Sequence, residues 1–464
     1  MRISLIFPPQ WDPRQPPLCI PTLAGVLKSE GHDVRAWDMN LSLYRNILFG
    51  RPRSLESRRW IEQYLSPRTL GDHRTFAEAS GRVKDIIYMG YARYEPHRLW
   101  WDDFSAGCSP DASQNWKMAI RKPDRFPFFQ KIRPLINEVI QWRPDFACIS
   151  IISDTQIFAG LAIASRIRSK LPVVKIVLGG QALRSRRHLF VNHDWLFRTV
   201  DAICISHGEP TLTALGRGEH LSKVPNIIWY DGRMVRDPDT LKAVVFNAAH
   251  EPDFSCIKLD EYLSPGRVIP IESARGCPWS RCAFCGHPGL ELPHKQWYVV
   301  RSLESVMSEI RRHISGGQNR FFFVDEAIPY ERFRALSRKL LRIKDRLSWI
   351  CYLSPEQTHT FSGFSLARRS GCLKVYIGIE TGSKRLMQLY RKGSTPNIAK
   401  RIILDASRAG LAVHTFFITG FPDETEADRK ATDAFIEDIV PSVDAFGFTY
   451  DIFDLKAETG TQLP

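Results

Sequence analysis

Three cysteines, Cys277, Cys282 and Cys285, crowd the stretch E-S-A-R-G-C-P-W-S-R-C-A-F-C-G-H-P-G-L-E, Glu272–Glu291. Three thiolates can hold an iron–sulfur cluster and leave one iron without a protein ligand. That open iron can bind and reduce a small molecule. A structural zinc wants four ligands instead. Cys256 is distant in sequence and no second C-x-x-C pair occurs. His287 is a candidate fourth ligand, which keeps zinc open as an alternative.

Chemistry of this kind needs strands to hold it and polar groups to face it. The β-rich run Val268–Ser273 leads into Arg275-Gly276-Cys277-Pro278, and Phe284 lies between the last two cysteines. This stretch resembles the cluster loop of the radical S-adenosylmethionine (SAM) superfamily, which reads R-G-C-P-F-x-C-x-F-C after the first barrel strand. The resemblance implies a 4Fe-4S cluster on Cys277, Cys282 and Cys285, with SAM chelated to the unique iron through its amino and carboxylate groups. An electron then cleaves SAM to a 5′-deoxyadenosyl radical. Phe284 would shield the cluster and bring its backbone near the adenine. Four residues, Pro278–Arg281, separate the first two cysteines where the family has three, so the loop is expected to bulge by one residue.

Three further segments extend the resemblance in order. Phe321–Glu326 reads as a second strand ending in Asp325 and Glu326, and carboxyl ends of barrel strands are where chemistry is expected. The resemblance implies that this pair holds the SAM amino group, Asp325 ahead of Glu326; a helix cap before Ala327 and Pro329 is the competing role. Gly371–Ser383 is similar to the G-C-x-x-V-x-I-G-I-E-S-G-S run of the fourth strand in cobalamin-type members. Glu380 there would accept from ribose hydroxyls or the SAM amine, since a buried glutamate without a partner is costly. Thr381 replaces the usual serine and keeps a hydroxyl, and Lys392-Gly393 also fits the pattern. Phe416–Thr425 resembles F-I-x-G-x-P-G-E-T, with Gly420 as a cofactor contact and Asp423 in place of the family glycine. Ser354, at the end of a third strand, is a weaker SAM contact. Cys372 and Tyr376 are redox-capable, and Tyr376 reads as a strand packing residue.

The N-terminal half offers a second ligand surface. The matching residues are Phe7-Pro8-Pro9, Pro21–Leu27 with Gly31-His32-Asp33-Val34, Arg143-Pro144-Asp145, Ile149-Ser150, Val177–Gln181 and Gly208–Leu212. Together they resemble the cobalamin-binding domain that precedes many radical SAM cores. The resemblance implies contacts from Pro8, Pro9, Ser150, Ser153, Gly179, Gly180, Gln181, Gly208 and Glu209. Glycines at a strand end let backbone approach a large planar ligand, and the two serines can bond its nucleotide tail. None of the thirteen histidines sits in a D-x-H-x-x-G motif, so no lower axial histidine comes from it. A Rossmann-like sheet kept for packing, without cobalamin, is the competing role.

The elements that position these residues form two series. Ile3–Phe7, Asp33–Trp37, Asp145–Ile152, Val173–Leu178 and Asp201–Ser206 read as strands, with helices over Pro21–Glu30, Gln156–Lys170 and Pro210–Gly216. This βα alternation predicts a doubly wound parallel sheet over residues 1–220, with ligands beyond the carboxyl ends of its strands. Residues 43–143 interrupt it as a helical insertion rich in aromatic and basic residues, including Trp100-Trp101 and Phe126–Phe129. That insertion either shapes a ligand pocket or serves as a lid without substrate contact. Residues 221–265 read as a connector with an Asp-Gly hairpin, Ile227–Val235. From 266 to 464 a partial (β/α)6 radical SAM barrel is expected, with strands at 268–274, 320–325, 348–353, 374–380, 412–419 and 444–450. The ending Glu458–Pro464 looks like an element that family members carry before a further domain. The fold class is α/β throughout.

Bulk properties narrow the function. No apolar run of about twenty residues exists for a membrane span, and the start is too quickly polar for a signal peptide. Ten cysteines without regular spacing argue for a reducing cytoplasm. The net charge of +14 is spread along the chain rather than clustered, which argues against a nucleic-acid partner. The leading expectation is a C-methyltransferase using the 4Fe-4S cluster, SAM and cobalamin on a natural-product, peptide or small-metabolite substrate. The resemblance implies methyl transfer from methylcobalamin to a substrate radical, with flavodoxin or ferredoxin as electron donor. The alternatives are a non-methylating radical cyclase or rearrangement enzyme, and a corrinoid- or nucleic-acid-binding regulator that has lost catalysis. A methylthiotransferase fits less well: Cys19, Cys108 and Cys148 are scattered rather than grouped for a second cluster.

Overall fold

In the computed structural model the chain divides into two compact units, Met1–Arg267 and Val268–Pro464. Described residues are 1–50, 52–91, 98–99, 104–105, 108–125, 127–246, 251–285 and 298–450. His287, Trp100, Trp101, Phe126 and the Glu458–Pro464 ending lie outside them.

The first unit is built on β1 (Arg2–Phe7), β2 (Asp33–Asp38), β5 (Phe146–Ser150), β6 (Lys175–Gly179) and β7 (Ala202–Cys204), with β3 (Arg98–Leu99) and β4 (Phe104–Ser105) forming a small separate ladder. The apolar runs of β1 and β5 are buried, as central parallel strands require. The sheet order is β2-β1-β5-β6-β7, continued by β8 (Ile227–Tyr230) and β9 (Val235–Arg236). The expected hairpin is part of this sheet: β8 pairs antiparallel with β7, and β9 follows. Strand order reverses between β1 and β5, and a ligand crevice is expected beyond their carboxyl ends.

Helix α1 (Cys19–Ser29) ends before Gly31, whose φ of +83° only glycine adopts cheaply. The 43–143 region is helical where described: α2 (Met39–Phe49), α3 (Leu55–Leu65), α4 (His73–Tyr91), α5 (Ser113–Arg121) and α6 (Pro127–Trp142). Tyr44, Tyr64, Tyr91 and Trp116 are fully buried there, and the Tyr64 hydroxyl donates to the Leu263 carbonyl at 2.9 Å. Helices α7 (Ile157–Lys170), α8 (Gln181–Arg184), α9 (Arg187–Val191) and α10 (Gly208–Gly216) complete the unit.

The second unit is a six-stranded, all-parallel sheet in near-sequential order: β10 (Ile269–Ile271), β13 (Arg320–Ile328), β14 (Ser348–Leu353), β15 (Cys372–Glu380), β16 (Ala412–Thr419) and β17 (Ala445–Tyr450). A two-stranded ladder of β11 (Ala274–Arg275) and β12 (Val299–Val300) stands apart. The helices are α11 (Leu303–Ser315), α12 (Tyr330–Leu340), α13 (Phe361–Arg369), α14 (Lys384–Leu389), α15 (Pro396–Arg408) and α16 (Glu426–Ile439). Sequence punctuation places them: Ser302, Thr360, Ser383 and Thr395 each cap a helix N-terminus, and Thr425 with Asp428 forms a capping box. Among the described residues no helix is long and apolar enough to cross a membrane.

One packing choice ties part of this unit's stability to pH. His359 is fully buried, stacked on Phe364 with ring centroids 5.5 Å apart and edge-on to Tyr330 at 5.2 Å. Burial holds its pKa down at about 4. The folded state therefore resists a proton that the unfolded chain takes up near pH 6.5. The stability that His359 contributes is full above pH 6.5 and is lost as pH falls toward 4, by about 2 kcal/mol between pH 7 and pH 5. Asp325, raised to about 7 by burial, titrates in the opposite sense, and His313 and His414 in the same sense. The check is therefore the difference between wild type and His359→Phe: the variant's stability, read from urea midpoints, should gain on wild type by that amount as pH falls from 7 to 5.

Candidate functional site

The cysteine loop leaves the sheet after β10 and lies beyond its carboxyl edge. Ser273 starts it and is fully buried. Its N–H and hydroxyl donate to the two oxygens of Asp325 at 2.7 and 2.5 Å. Arg332 donates to the Ser273 hydroxyl at 2.8 Å and to its carbonyl at 2.6 Å. Asp325 is thus committed to the strand-to-loop corner. Burial pushes its pKa up to about 7, against the pull of the Ser273 hydrogen bonds. Glu326 faces the other way and accepts from the Gly276 N–H at 2.9 Å, next to Cys277. Arg275 forks onto Glu272 at 2.8 and 2.7 Å.

The expected bulge has a physical form. Ser280 takes a left-handed conformation, φ +44°, and its hydroxyl donates back to the Cys277 carbonyl. Trp279 turns out and donates from its indole nitrogen to the Arg391 carbonyl at 2.7 Å. Its ring lies so close to Gly393 that an added Cβ would stand 2.5 Å away. The extra residue is absorbed by a tryptophan laid over a glycine.

The far end of the loop is pinned to α14 and its C-terminal turn. The Ala283 N–H donates to the Tyr390 carbonyl at 2.9 Å, and the Cys285 N–H to the Cys282 carbonyl at 3.2 Å. Phe284 packs edge-on to Phe421 and Tyr390, against a small core that includes Ala283, Leu386 and Ile418. Lys392 sits above the Phe284 ring at 5.7 Å and pairs with Glu380 at 2.7 Å, both mostly buried. Burial lowers the Lys392 pKa, but Glu380 and the Cys282 and Cys277 sulfurs outweigh it, so the ammonium is held above its ordinary value. Glu380 itself has φ +71° and folds over Gly378, where a Cβ would meet its carboxylate at 2.4 Å. Deeper in the sheet, Tyr376 stacks among Tyr352 and His414 at 4.9 and 5.2 Å, which fits its expected packing role.

Other expected contacts are held by protein. The Ser354 hydroxyl donates to Glu356 at 2.5 Å. Thr381 is buried and pairs with the Thr432 hydroxyl at 3.0 Å. Gly420 has φ +79° and donates its N–H to Glu424 at 2.6 Å, with open space where a Cβ would be.

In the first unit the expected residues gather at the carboxyl ends of β1, β5, β6 and β7. Gln156 stitches two of those loops: its amide donates to the Pro8 carbonyl at 2.6 Å and accepts from the Ile152 and Ser153 N–H groups. Pro9 follows in the same stitched loop, and Thr155 donates to the Gln10 carbonyl. The Ser153 hydroxyl meets that of Thr155 at 2.8 Å. Ser150 is buried beside the Cys19 thiol. Gly179 accepts from the Ile151 N–H, and Gly180 passes so close to Ile151 that a Cβ would lie 2.2 Å from its carbonyl oxygen. Gln181 is exposed at the start of α8, while Gly208 and the buried Glu209 open α10. Beside them the Ser206 hydroxyl is buried without a partner among the described residues.

The sequence reading missed Gln156, Ser273 and the Ser206 hydroxyl. Gln156 was findable, because S-D-T-Q is a capping box.

The Cys282 thiol is pushed up to about 12, first by burial, with Cys285 and Cys277 adding to it and Lys392 opposing. The three sulfurs therefore feel one another. Among the described residues, however, no three His, Cys, Asp or Glu side chains are already drawn into a metal-ligand array. Soft donors on a loop pinned at both ends suit an iron–sulfur cluster. The orphan Ser206 hydroxyl leaves a donor for a ligand at the sheet edge of the first unit.

A parallel βα sheet with a three-cysteine loop beyond its first strand, and a buried acid–base pair beyond a later one, defines a radical SAM core. The family model of the radical SAM superfamily matches residues 271–436. An uncharacterized methyltransferase of Pyrococcus horikoshii is 28% identical over 245 residues, covering 50% of this chain and 52% of that protein. The bacteriochlorophyllide d C-12(1)-methyltransferase of Chlorobaculum tepidum is 27% identical over 192 residues, 40% of this chain and 41% of that one. The chain spans about half the length of these curated relatives. Among solved structures, the radical SAM methyltransferase TsrM of Kitasatospora setae, with cobalamin and a [4Fe-4S] cluster bound, superposes with TM-score 0.62 at 17% identity, covering 97% of this chain and 74% of that one. Residues 271–436 thus carry a match to the radical SAM superfamily, and the chain shares the fold of a solved cobalamin-dependent member.

Proposed function

We propose that the chain is a cobalamin-dependent radical SAM C-methyltransferase acting on an unactivated carbon of a natural-product, peptide or small-metabolite substrate. The observation that carries this reading is the cysteine loop, seated beside the Glu380–Lys392 pair at the carboxyl edge of a parallel sheet. The methyltransferase names of the relatives support the reaction class, and the C-12(1) position in one of them supports carbon as the acceptor.

When bound, the cluster would supply the electron for SAM cleavage and the corrinoid a cobalt that carries the methyl group. Cys277, Cys282 and Cys285 would hold the cluster. Lys392 fixes the Glu380 carboxylate, leaving it as acceptor for a ribose hydroxyl or an ammonium group. Phe284, with Tyr390 and Phe421, keeps water from the inner side of the loop. Ser206 and Ser150 would meet the corrinoid. A flavodoxin or ferredoxin would deliver the electron.

The test is an anaerobic absorption spectrum of the iron–sulfur-reconstituted protein after incubation with hydroxocobalamin and desalting. Corrinoid bands retained beside the cluster absorption are the expected result. Cluster absorption alone would remove methylation from first place. With substrate, methyl transfer should yield S-adenosylhomocysteine alongside 5′-deoxyadenosine.

A further inference from the structure

Tyr298 carries a hydroxyl oxygen that is buried and has no hydrogen-bond partner among the described residues. Buried hydroxyls are rarely left so, and the exceptions point to a missing ligand. The ladder of β11 and β12 pairs Ala274 with Val300 and Arg275 with Val299. Tyr298 immediately precedes Val299, whose partner Arg275 lies two residues before Cys277, and the Cys277 sulfur is within range of the phenol's charge. The ring therefore stands beside the cysteine loop where the loop leaves the sheet.

The groups that reach Tyr298 are already engaged elsewhere. Arg332, Asp325, Cys277 and Glu356 all lie within range of its charge. Asp325 is used by Ser273, Arg332 holds the Ser273 and Arg301 carbonyls, and Glu356 accepts from Ser354. Burial raises the phenol to about 12, so it keeps its proton and acts as a neutral donor. A neutral donor next to a guanidinium suits an anionic oxygen. On the radical SAM reading, which this inference requires, the ligand bringing a carboxylate to the cysteine loop is SAM.

We propose that the Tyr298 hydroxyl donates a hydrogen bond to the carboxylate of bound SAM, as a cofactor contact outside the cysteine and strand-end motifs. It would work beside the cluster iron, adding orientation at the amino-acid end of the cofactor.

The test uses the full chain with its cluster assembled anaerobically. SAM and decarboxylated SAM are each titrated against wild type and Tyr298→Phe, reading the ligand-induced change in the electron paramagnetic resonance spectrum of the reduced cluster. Tyr298→Phe should weaken SAM on the order of tenfold and leave decarboxylated SAM unchanged. Without SAM the variant should melt no lower than wild type, because it loses only an unpaired hydroxyl. Unchanged SAM affinity, or an equal loss for both ligands, would overturn the proposal. If the wild-type cluster spectrum does not respond to SAM at all, the radical SAM reading itself falls and takes this inference with it.

Discussion

Cys282→Ala is expected to give a folded chain that takes up no stable cluster and cleaves no SAM. The side chain is half-buried and the backbone on both sides of it is anchored without help from the sulfur. Ala283 hangs from the Tyr390 carbonyl and Cys285 closes the turn onto the Cys282 carbonyl. Truncation should therefore spare the loop's path while removing one of three soft donors. Among the described residues no other cysteine of this unit is at hand. Cys351 and Cys372 are buried within β14 and β15. Cluster uptake must also expel protons from the thiols, so assembly should improve as pH rises. The checks are iron-dependent absorption after reconstitution and release of 5′-deoxyadenosine. Cleavage retained by Cys282→Ala would sink the ligand assignment. Cys256→Ala is the control that should keep both signals.

How much of this was legible depends on what each residue answers to. The strands 348–353 and 412–419 fall where the sequence puts them, because apolar alternation, and for the second strand the flanking Gly410 and Gly420, are local signals. The first barrel strand was expected to run unbroken over 268–274. It divides into Ile269–Ile271 and Ala274–Arg275, because Ser273 turns inward to bond Asp325, which is far away in sequence. The same distance problem hides the split between Asp325 and Glu326. Alternation puts them on opposite faces, but the sequence does not say which face carries the loop corner. A partner for Glu380 was demanded by burial cost, while its identity as Lys392 required the fold. The hairpin Ile227–Val235 was legible as a hairpin. Its membership in the sheet was not, since antiparallel addition to β7 leaves no local mark.

Gly180→Ala is the second large effect, and it separates a structural glycine from a ligand-facing one. Gly180 has φ +120° and ψ 163°, in a region open essentially to glycine alone. An alanine Cβ would lie 2.2 Å from the Ile151 oxygen, 2.5 Å from its carbon and 2.8 Å from its nitrogen. These are backbone atoms of a segment already tied down, since the Ile151 N–H donates to Gly179 and the Ile151 carbonyl accepts from Ala182. Neither side can yield cheaply. Conformational strain and overpacking together should cost about 4 kcal/mol. The glycine at this strand end lets one loop cross another, and any ligand approach is built on that crossing. The variant should therefore lower the unfolding midpoint of the first unit and lose corrinoid retention, while the second unit keeps its cluster absorption. Gly420→Ala is the contrasting case. Its φ of +79° is also left-handed, but a Cβ there meets nothing within 4 Å, so only about 1 kcal/mol of backbone preference is at stake. If Gly180→Ala melted like Gly420→Ala, the close crossing at Ile151 would be wrong, and Gly180 would have to owe its place to a ligand.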